Sequence, residues 1–213
     1  MKNLKTKWIT KTPENRLYHI PVPIIGLTGG IGTGKSTVAE ILREHNIPVI
    51  DADKLIKNIY QKNETLNFII SHFPQAISDG KIVFPKLREM VFIDPHVKKM
   101  LEDFLYVFMP EEFQKAYATL SNPFFIVYDV PLLFEKKLNK HVDLSVCVYA
   151  PKKVQIERIV LRDKSSIKMA TKILENQMDI DDKKRLSDLV IMNTNKIEDL
   201  KLSIKQFLSD ITI

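Results

Sequence analysis

The feature that most constrains this chain is a glycine-rich segment between a predicted strand and a predicted helix. An apolar run over 22–27 precedes it, and apolar residues with helical spacing over 38–42 follow it. The segment consists of Gly29, Gly30, Ile31, Gly32, Thr33, Gly34, Lys35, Ser36 and Thr37. A glycine, four residues and then Gly-Lys-Ser match the spacing of a phosphate-binding loop, the P-loop. Its setting predicts a loop at a helix N-terminus, where backbone N–H groups bind phosphate.

Two residues of this loop and one later carboxylate indicate nucleotide and metal chemistry. Lys35 is predicted to reach the β- and γ-phosphates of a nucleoside triphosphate, and the Ser36 hydroxyl to bind Mg²⁺. Asp129 ends an apolar run over 124–128, in the manner of a Walker B carboxylate that holds Mg²⁺ directly or through water. The alternative for Asp129 is a strand-end residue that caps the turn before Pro131.

Carboxylates and arginines elsewhere are candidates for the chemical step. Asp51 and Asp53 follow a short apolar run, so one of them is placed to accept a proton from an attacking hydroxyl. The alternative is that both cap the next helix. Arg158 and Arg162 lie four apart in a predicted helix. We expect Arg158 to be solvated, and Arg162 to neutralise charge on the transferred phosphoryl group beside a polar segment suited to a lid.

Composition bounds the class of protein. The chain has 213 residues, 45% of them hydrophobic, and no apolar run approaches the roughly 20 residues that span a bilayer, so we expect a globular protein without membrane contact. The net charge of +6 suits polyphosphate ligands, and because the basic residues are dispersed we expect no nucleic-acid partner. Cys147 is the single cysteine and is predicted to lie in a buried strand, which fits the cytoplasm.

The alternation of elements predicts an α/β fold, a P-loop kinase-like doubly wound parallel sheet with an inserted helical acceptor region and a short lid. Strands are expected at 22–27, 47–50, 124–128, 142–149 and 189–192. Helices are expected at 34–46, 52–72, 86–120 with a break at Pro95, 152–162, 166–185 and 196–209. We divide the chain into a solvated N-terminal extension (1–22) and one domain (23–213). The domain has a core over 23–60 and 122–213, a helical insertion over about 61–121 and a lid over about 158–185.

Several blocks of sequence beyond the loop resemble the dephospho-CoA kinase family. They are 25–39, 47–53, Asp79-Gly80 with Leu87 and 91–92, Pro-Leu-Leu-Phe-Glu at 131–135, and Gln155, Arg158, Arg162, Gln177, Lys183 and 187–193. The loop alone is shared with many nucleotide-binding proteins. Its combination with Asp-Ala-Asp at 51–53 and with the 131–135 block is far more specific. The likeness covers about residues 24–208 in the family's order.

This resemblance implies transfer of the ATP γ-phosphoryl group to the 3′-hydroxyl of dephospho-CoA in the presence of Mg²⁺. By position it implies that Asp53 is the general base and that Lys35 and the loop bind ATP. It also implies that Arg162 is the lid arginine and that Asn193 lies in a loop beside the adenine. We expect a monomeric enzyme with dephospho-CoA as its small-molecule partner.

Three positions depart from the family's usual pattern. Phe84 stands where an arginine is usual, Met109 with Pro110 where His-Pro is usual, and Ser187 where an alanine precedes Asp188. The first two fall in the predicted acceptor region. They keep open two alternatives: a P-loop kinase for another nucleoside or nucleotide, and a nucleotide-binding relative without catalysis. A third alternative is a GTPase-like switch, because 195–198 (Asn-Lys-Ile-Glu) differs by one residue from a guanine-reading motif.

Overall fold

A computed structural model describes residues 3–194 and 196–213 of the chain, so Asn195 of the guanine-type motif lies outside the described residues. The strands are β1 (Ile24–Gly29), β2 (Val49–Asp51), β3 (Ile77–Ser78), β4 (Lys81–Ile82), β5 (Ile126–Asp129), β6 (Leu144–Tyr149) and β7 (Leu189–Met192). The helices are α1 (Lys35–Glu44), α2 (Ala52–Tyr60), α3 (Asn63–His72), α4 (Phe84–Ile93), α5 (Pro95–Val107), α6 (Met109–Ala118), α7 (Lys152–Asp163), α8 (Ile167–Glu175), α9 (Ile180–Leu186) and α10 (Ile197–Ile211).

Five strands form a parallel sheet in the order β2-β5-β1-β6-β7, as the alternation of elements predicts. The β1 strand is central, and its six residues are all buried. In the register of the sheet, Asp129 of β5 lies opposite Leu27 of β1 on one side and Asp51 of β2 on the other. This register brings two acidic strand ends together beside the strand that leads into the P-loop, at the edge where such sheets bind ligands.

Helices cover the sheet because strands buried on both faces leave apolar side chains on each side. On one face, α1 and α10 pack with alternate residues of the strands in a single apolar cluster that includes Leu27, Val146, Leu42 and Ile204. On the other face, α9 contacts β1 and β6. Cys147 in β6 is buried as predicted, and this burial raises the pKa of its thiol to about 11.

Several long predicted helices are broken. The pattern over 52–72 forms α2 and α3, because Lys62 adopts an extended backbone between them. The pattern over 86–120 forms three helices that begin near Phe84-Pro85, Pro95 and Met109-Pro110, since proline is favoured in a first helical turn and breaks a helix elsewhere. The break at Pro95 is the predicted one, whereas the break before Met109 was not predicted. The pattern over 166–185 forms α8 and α9. The β3–β4 hairpin was not predicted, because each strand has only two residues.

The described residues divide into two compact units. One consists of the residues up to Asp51 together with those from Leu120 onward, and the other is Ala52–Thr119. The second unit contains α2 to α6 and the hairpin, with α2 packed on α6 and α4 on α5 around buried Leu55, Leu105 and Phe113. It begins at Ala52, whereas we placed the start of the helical insertion at about 61.

The N-terminal extension is not solvated, contrary to our expectation. Its Leu4, Leu17 and Ile20 are buried, and Leu4 pairs with Thr212 in an antiparallel bridge. The Arg16 Nε donates to Asp143 Oδ2 at 2.7 Å, and both side chains are buried. Basic composition suggested a solvent-exposed tail, but a buried ion pair and three apolar anchors attach the segment to the first unit. No helix among the described residues is long and apolar enough to cross a membrane.

Candidate active site

The predicted phosphate loop lies where β1 gives way to α1. The β1 strand ends at Gly29, and α1 begins at Lys35 with Gly34 as its N-cap in the left-handed region, at φ 85°. The Thr33 side chain is fully buried and its Oγ1 donates to the Gly30 carbonyl at 2.8 Å. The Thr33 backbone N–H donates to the same carbonyl at 3.2 Å, so both donors of Thr33 hold the turn of the loop itself.

Gly34 is required at its position for two reasons. Its positive φ disfavours residues that carry a Cβ. In addition, a Cβ built on Gly34 would lie only 2.2 Å from Asn193 Nδ2. The loop's path therefore depends on a side chain that follows β7, far away in the sequence.

Lys35, Ser36 and Asp129 are brought to the same end of the sheet. The Lys35 ammonium forms an ion pair with the Asp129 carboxylate, and both side chains are largely buried. Ser36 is the next residue of α1 and is exposed in its first turn. A lysine, a hydroxyl and a carboxylate at the N-terminus of a helix form a cationic and oxygen-rich site, which suits phosphate and a hard divalent cation.

Asn193 and Arg158 donate hydrogen bonds to backbone carbonyls of the loop, which form its outer side. Asn193 is buried, and its Nδ2 donates to the Thr33 carbonyl at 2.7 Å. Arg158 of α7 donates through Nη1 to the Gly32 carbonyl at 3.2 Å and through Nη2 to the Asn193 carbonyl at 3.1 Å. Our expectation of a solvated Arg158 was therefore wrong. Helical spacing alone could not show that this arginine faces the loop from a neighbouring element.

Two glutamines that the motif analysis left without a role also contact the loop. The Ile31 N–H donates to Gln177 Oε1 at 3.1 Å, from the segment between α8 and α9. Gln155 is buried in α7, its Nε2 donates to the Ala150 carbonyl at 2.9 Å, and its Oε1 would lie 2.7 Å from a Cβ built on Gly30, so its side chain packs against the loop. Only their presence in the family-like blocks signalled them, because no local pattern distinguishes a loop-facing glutamine from a solvated one.

The second unit contains a separate cavity of about 840 Å³. Its lining includes one carboxylate, Asp53 in the first turn of α2, and the cationic side chains Lys57, Lys81 and Arg88. The aromatic rings of Tyr60 and Phe84 meet edge to face at a centroid distance of 5.1 Å in the same lining. Burial raises the pKa of Tyr60, against the opposing charge of Arg88. A cationic cavity with aromatic walls suits an anionic ligand that carries a ring.

Comparison with known proteins decides the family. A sequence model of the dephospho-CoA kinase family matches residues 23–199. This chain belongs to the dephospho-CoA kinase family. A dephospho-CoA kinase of Fusobacterium nucleatum is 38% identical over 190 residues, which cover 87% of this chain and 97% of that protein. One of Helicobacter pylori is 39% identical over 188 residues, covering 86% of this chain and 95% of the relative.

Solved structures agree with this assignment and with the predicted α/β fold. The crystal structure of TT1252 from Thermus thermophilus aligns with a TM-score of 0.82 at 30% identity, over 90% of this chain and 99% of that one. The dephospho-CoA kinase from Campylobacter jejuni aligns with a TM-score of 0.62 at 28% identity, over 88% of this chain and 96% of the other. As a member of this family, the chain is an enzyme, a kinase that transfers a phosphoryl group.

The family-like block at 131–135 is anchored by a buried lysine. Lys183 of α9 is fully buried, and its Nζ donates to the Pro131 carbonyl at 2.6 Å and pairs with Glu135 Oε1 at 2.8 Å. Glu135 Oε1 also accepts from the Met178 N–H at 3.2 Å. These bonds fix α9 and the segment before it to the turn after β5, so two of the family-like blocks are in direct contact.

Arg162 is placed differently from Arg158, although both lie on α7. It is exposed and forms a two-point ion pair with Asp163, with Nε to Oδ1 at 2.7 Å. Hydrogen bonding from Arg162 is the largest cause that lowers the pKa of Asp163. The structure thus keeps Arg162 at the solvent, at the C-terminal end of α7 and before the predicted lid segment.

The two departures in the second unit have distinct environments. Met109 is buried at the start of α6, where its side chain belongs to the packing of that unit. Phe84 begins α4, is 40% exposed and lines the cavity. Of the two, only Phe84 is positioned to contact a ligand in this cavity.

Proposed function

We propose that this kinase uses ATP and dephospho-CoA as substrates and transfers the γ-phosphoryl group to the ribose 3′-hydroxyl. The observation that carries the proposal is the pairing of Lys35 with Asp129 at the mouth of the P-loop, within a fold and family of dephospho-CoA kinases. Loop N–H groups and the Lys35 ammonium would hold the β- and γ-phosphates. Asn193 borders this loop through its hydrogen bond to the Thr33 carbonyl.

Mg²⁺ fits the donors that the site offers. Magnesium prefers oxygen ligands, retains several waters and is usually bound through one or two protein groups plus substrate phosphates. The Ser36 hydroxyl and the Asp129 carboxylate supply two such oxygens, and we propose that they hold the ion directly or through water. Once bound, the ion would neutralise phosphate charge. Lys35 then has two roles, since it neutralises Asp129 and contacts the nucleotide.

We propose that dephospho-CoA binds in the cavity of the second unit. Its two phosphates match the cationic side chains Lys57, Lys81 and Arg88, and its adenine matches the walls formed by Tyr60 and Phe84. None of the three cations forms a salt bridge among the described residues that would compete with a phosphate. A cavity of about 840 Å³ is in the size range of sites for ligands of this kind.

Asp53 is our candidate general base because it lies in the lining of this cavity. Its carboxylate would take the proton of the ribose 3′-hydroxyl as that oxygen bonds to the γ-phosphorus and the bond to ADP breaks. We propose that Arg162 exchanges its contact with Asp163 for the transferring phosphoryl group, whose charge a guanidinium neutralises well. Residues of about 158–185 would serve as the lid.

The test is a coupled assay of ADP release from MgATP with and without dephospho-CoA. We expect release to depend on dephospho-CoA, and Asp53→Asn to lower kcat about 100-fold or more while ATP affinity stays within about 2-fold. Asp103→Asn is the matched control, because Asp103 is an exposed aspartate of the same unit that pairs with Lys99 on the surface. Near-normal turnover by Asp53→Asn would show that Asp53 is not the general base.

The same assay separates the competing functions. Turnover with adenosine or a nucleotide but not with dephospho-CoA would show a different acceptor, and ATP binding without any turnover would show an inactive relative. We further propose a monomer that works in the cytoplasm, a location that the buried free thiol of Cys147 supports. Light scattering that gave the mass of two chains would contradict the monomer.

A further inference from the structure

The carbonyl groups on the outer side of the P-loop have donors from two distant elements. Arg158 Nη1 lies 3.2 Å from the Gly32 oxygen and 3.4 Å from the Thr33 oxygen. Asn193 Nδ2 lies 2.7 Å from the same Thr33 oxygen. Two consecutive carbonyls of the loop are thus held by a cation and an amide.

The two donors are themselves linked. Arg158 Nη2 donates to the Asn193 carbonyl at 3.1 Å, and the Asn193 N–H donates to the Tyr149 carbonyl at 2.8 Å. Asn193 is buried, so its amide has little freedom to leave the Thr33 carbonyl. Arg158, Asn193 and the end of β6 therefore form one connected support for the loop.

This support matters because the carbonyl groups and the N–H groups of a P-loop cannot be oriented independently. A loop that directs consecutive N–H groups towards phosphate must direct its carbonyls away from it, since each peptide unit is planar. A donor that holds the Thr33 carbonyl outward therefore holds the N–H of the same peptide unit, that of Gly34, inward before the anion arrives. The Gly32 carbonyl shares its peptide unit with the Thr33 N–H, which donates to the Gly30 carbonyl at 3.2 Å, so Arg158 fixes the turn that precedes Gly34. Preorganised dipoles of this kind raise affinity because they need no reordering on binding.

We infer that Arg158 and Asn193 are positioning residues for the triphosphate, acting through the Gly32 and Thr33 carbonyls rather than through contact with the base. The inference rests on the proposed ATP site but not on the identity of the acceptor. Arg158 was expected to be solvated and now has a role in holding the loop. Asn193 supports the loop as well, whereas the family resemblance implied a place beside the adenine. Arg162, four residues further on, instead pairs with the neighbouring Asp163.

The experiment measures calorimetric affinities for MgATP and for inorganic tripolyphosphate with Mg²⁺. Tripolyphosphate has no base, so a variant that disturbs the loop must lower the affinity for both ligands alike. We expect Arg158→Met to weaken each about 10-fold or more, and Arg158→Lys to recover part of the loss, since lysine keeps the charge but not the fork. In turnover, KM for ATP should rise while kcat at saturating ATP changes less than about 3-fold.

Asn193→Ser tests the second donor, and the same parallel loss for both ligands is expected. Arg185→Met is the matched control, because Arg185 is an exposed arginine of α9 that pairs with Asp182 on the surface. Circular dichroism checks that each variant is folded, and Arg158→Lys provides the comparison if Arg158→Met is unstable.

Two results would overturn the inference. Weaker binding of MgATP with unchanged tripolyphosphate binding would mean that these residues contact the nucleoside half. Unchanged binding of both ligands would mean that the contacts carry no function. Failure of the wild-type protein to bind either ligand would instead reject the proposed ATP site. If the enzyme did not use dephospho-CoA, the two affinities would still test the inference, because neither depends on the acceptor.

Discussion

We propose two separable roles for Lys35, and its ion pair with Asp129 is the reason. Its ammonium neutralises Asp129, whose side chain is only 5% exposed, and it is proposed to contact the phosphates. Loss of one member of a buried pair leaves the other charge desolvated, which is more costly than loss of both.

We therefore expect Lys35→Ala to lower kcat at least about 100-fold and to lower the free energy of unfolding by about 3 kcal/mol. The double variant Lys35→Ala/Asp129→Asn should recover most of the stability but none of the activity. Urea unfolding and the coupled assay measure the two effects. Recovery of activity in the double variant would show that Lys35 serves only to neutralise Asp129.

Gly34 allows a second prediction about the loop, because the chain offers a control glycine. Gly34→Ala strains a backbone at φ 85° and drives a Cβ into Asn193, whereas Gly80→Ala strains a backbone at φ 70° with nothing within 4 Å of the new Cβ. Both should lose about 1–2 kcal/mol of stability from strain. Only Gly34→Ala should abolish ATP binding, as measured by calorimetry. Equal ATP affinity of the two variants would mean that the loop adapts to the side chain.

At the scale of elements, the sequence predicted what depends on local pattern and failed where distant partners decide. The five parallel strands and the P-loop were predictable because continuous apolar runs and glycine spacing are local signals. The breaks at Lys62 and Asn176 were not, since tertiary packing ends a helix whose pattern continues. The same limit hid the loop contact of Arg158, whose partner carbonyls lie about 125 residues away in sequence.

The N-terminal segment departs most from what the sequence predicted, because it was expected to be solvated and is buried. Its contacts allow a test of stability. Arg16 donates to both carboxylate oxygens of Asp143, and the Ile24 N–H at the start of β1 donates to the same carboxylate at 2.9 Å. Asp143 therefore joins the extension to the central strand. Removal of the arginine would leave a fully buried carboxylate beside β1 with its cation lost.

We expect Arg16→Met to lower the free energy of unfolding by about 3–5 kcal/mol. The exposed control Arg185→Met should change it by less than about 0.5 kcal/mol. Urea denaturation followed by circular dichroism measures both. If the two variants unfolded at the same urea concentration, the extension would be a passive appendage rather than part of the folded unit.

At the scale of the whole molecule, the division into two units corresponds to a division of the proposed ligands. The P-loop, Lys35 and Asp129 belong to the unit made of the residues up to Asp51 and from Leu120, whereas Asp53 and the cationic cavity belong to Ala52–Thr119. Residues 51–53 thus span the unit boundary, so that Asp51 lies in the sheet register and Asp53 in the first turn of α2.

Hydrogen exchange tests this division, because a ligand slows exchange in the part of the protein that it orders. We expect MgATP alone to protect amides of 29–37, and dephospho-CoA alone to protect amides of α2 and α4 around the cavity. Asp53→Asn should leave both patterns nearly unchanged, because it removes a proton acceptor and not a phosphate contact. Protection of 29–37 by dephospho-CoA alone, with α2 and α4 unaffected, would place the acceptor in the nucleotide unit and reject the cavity as its site.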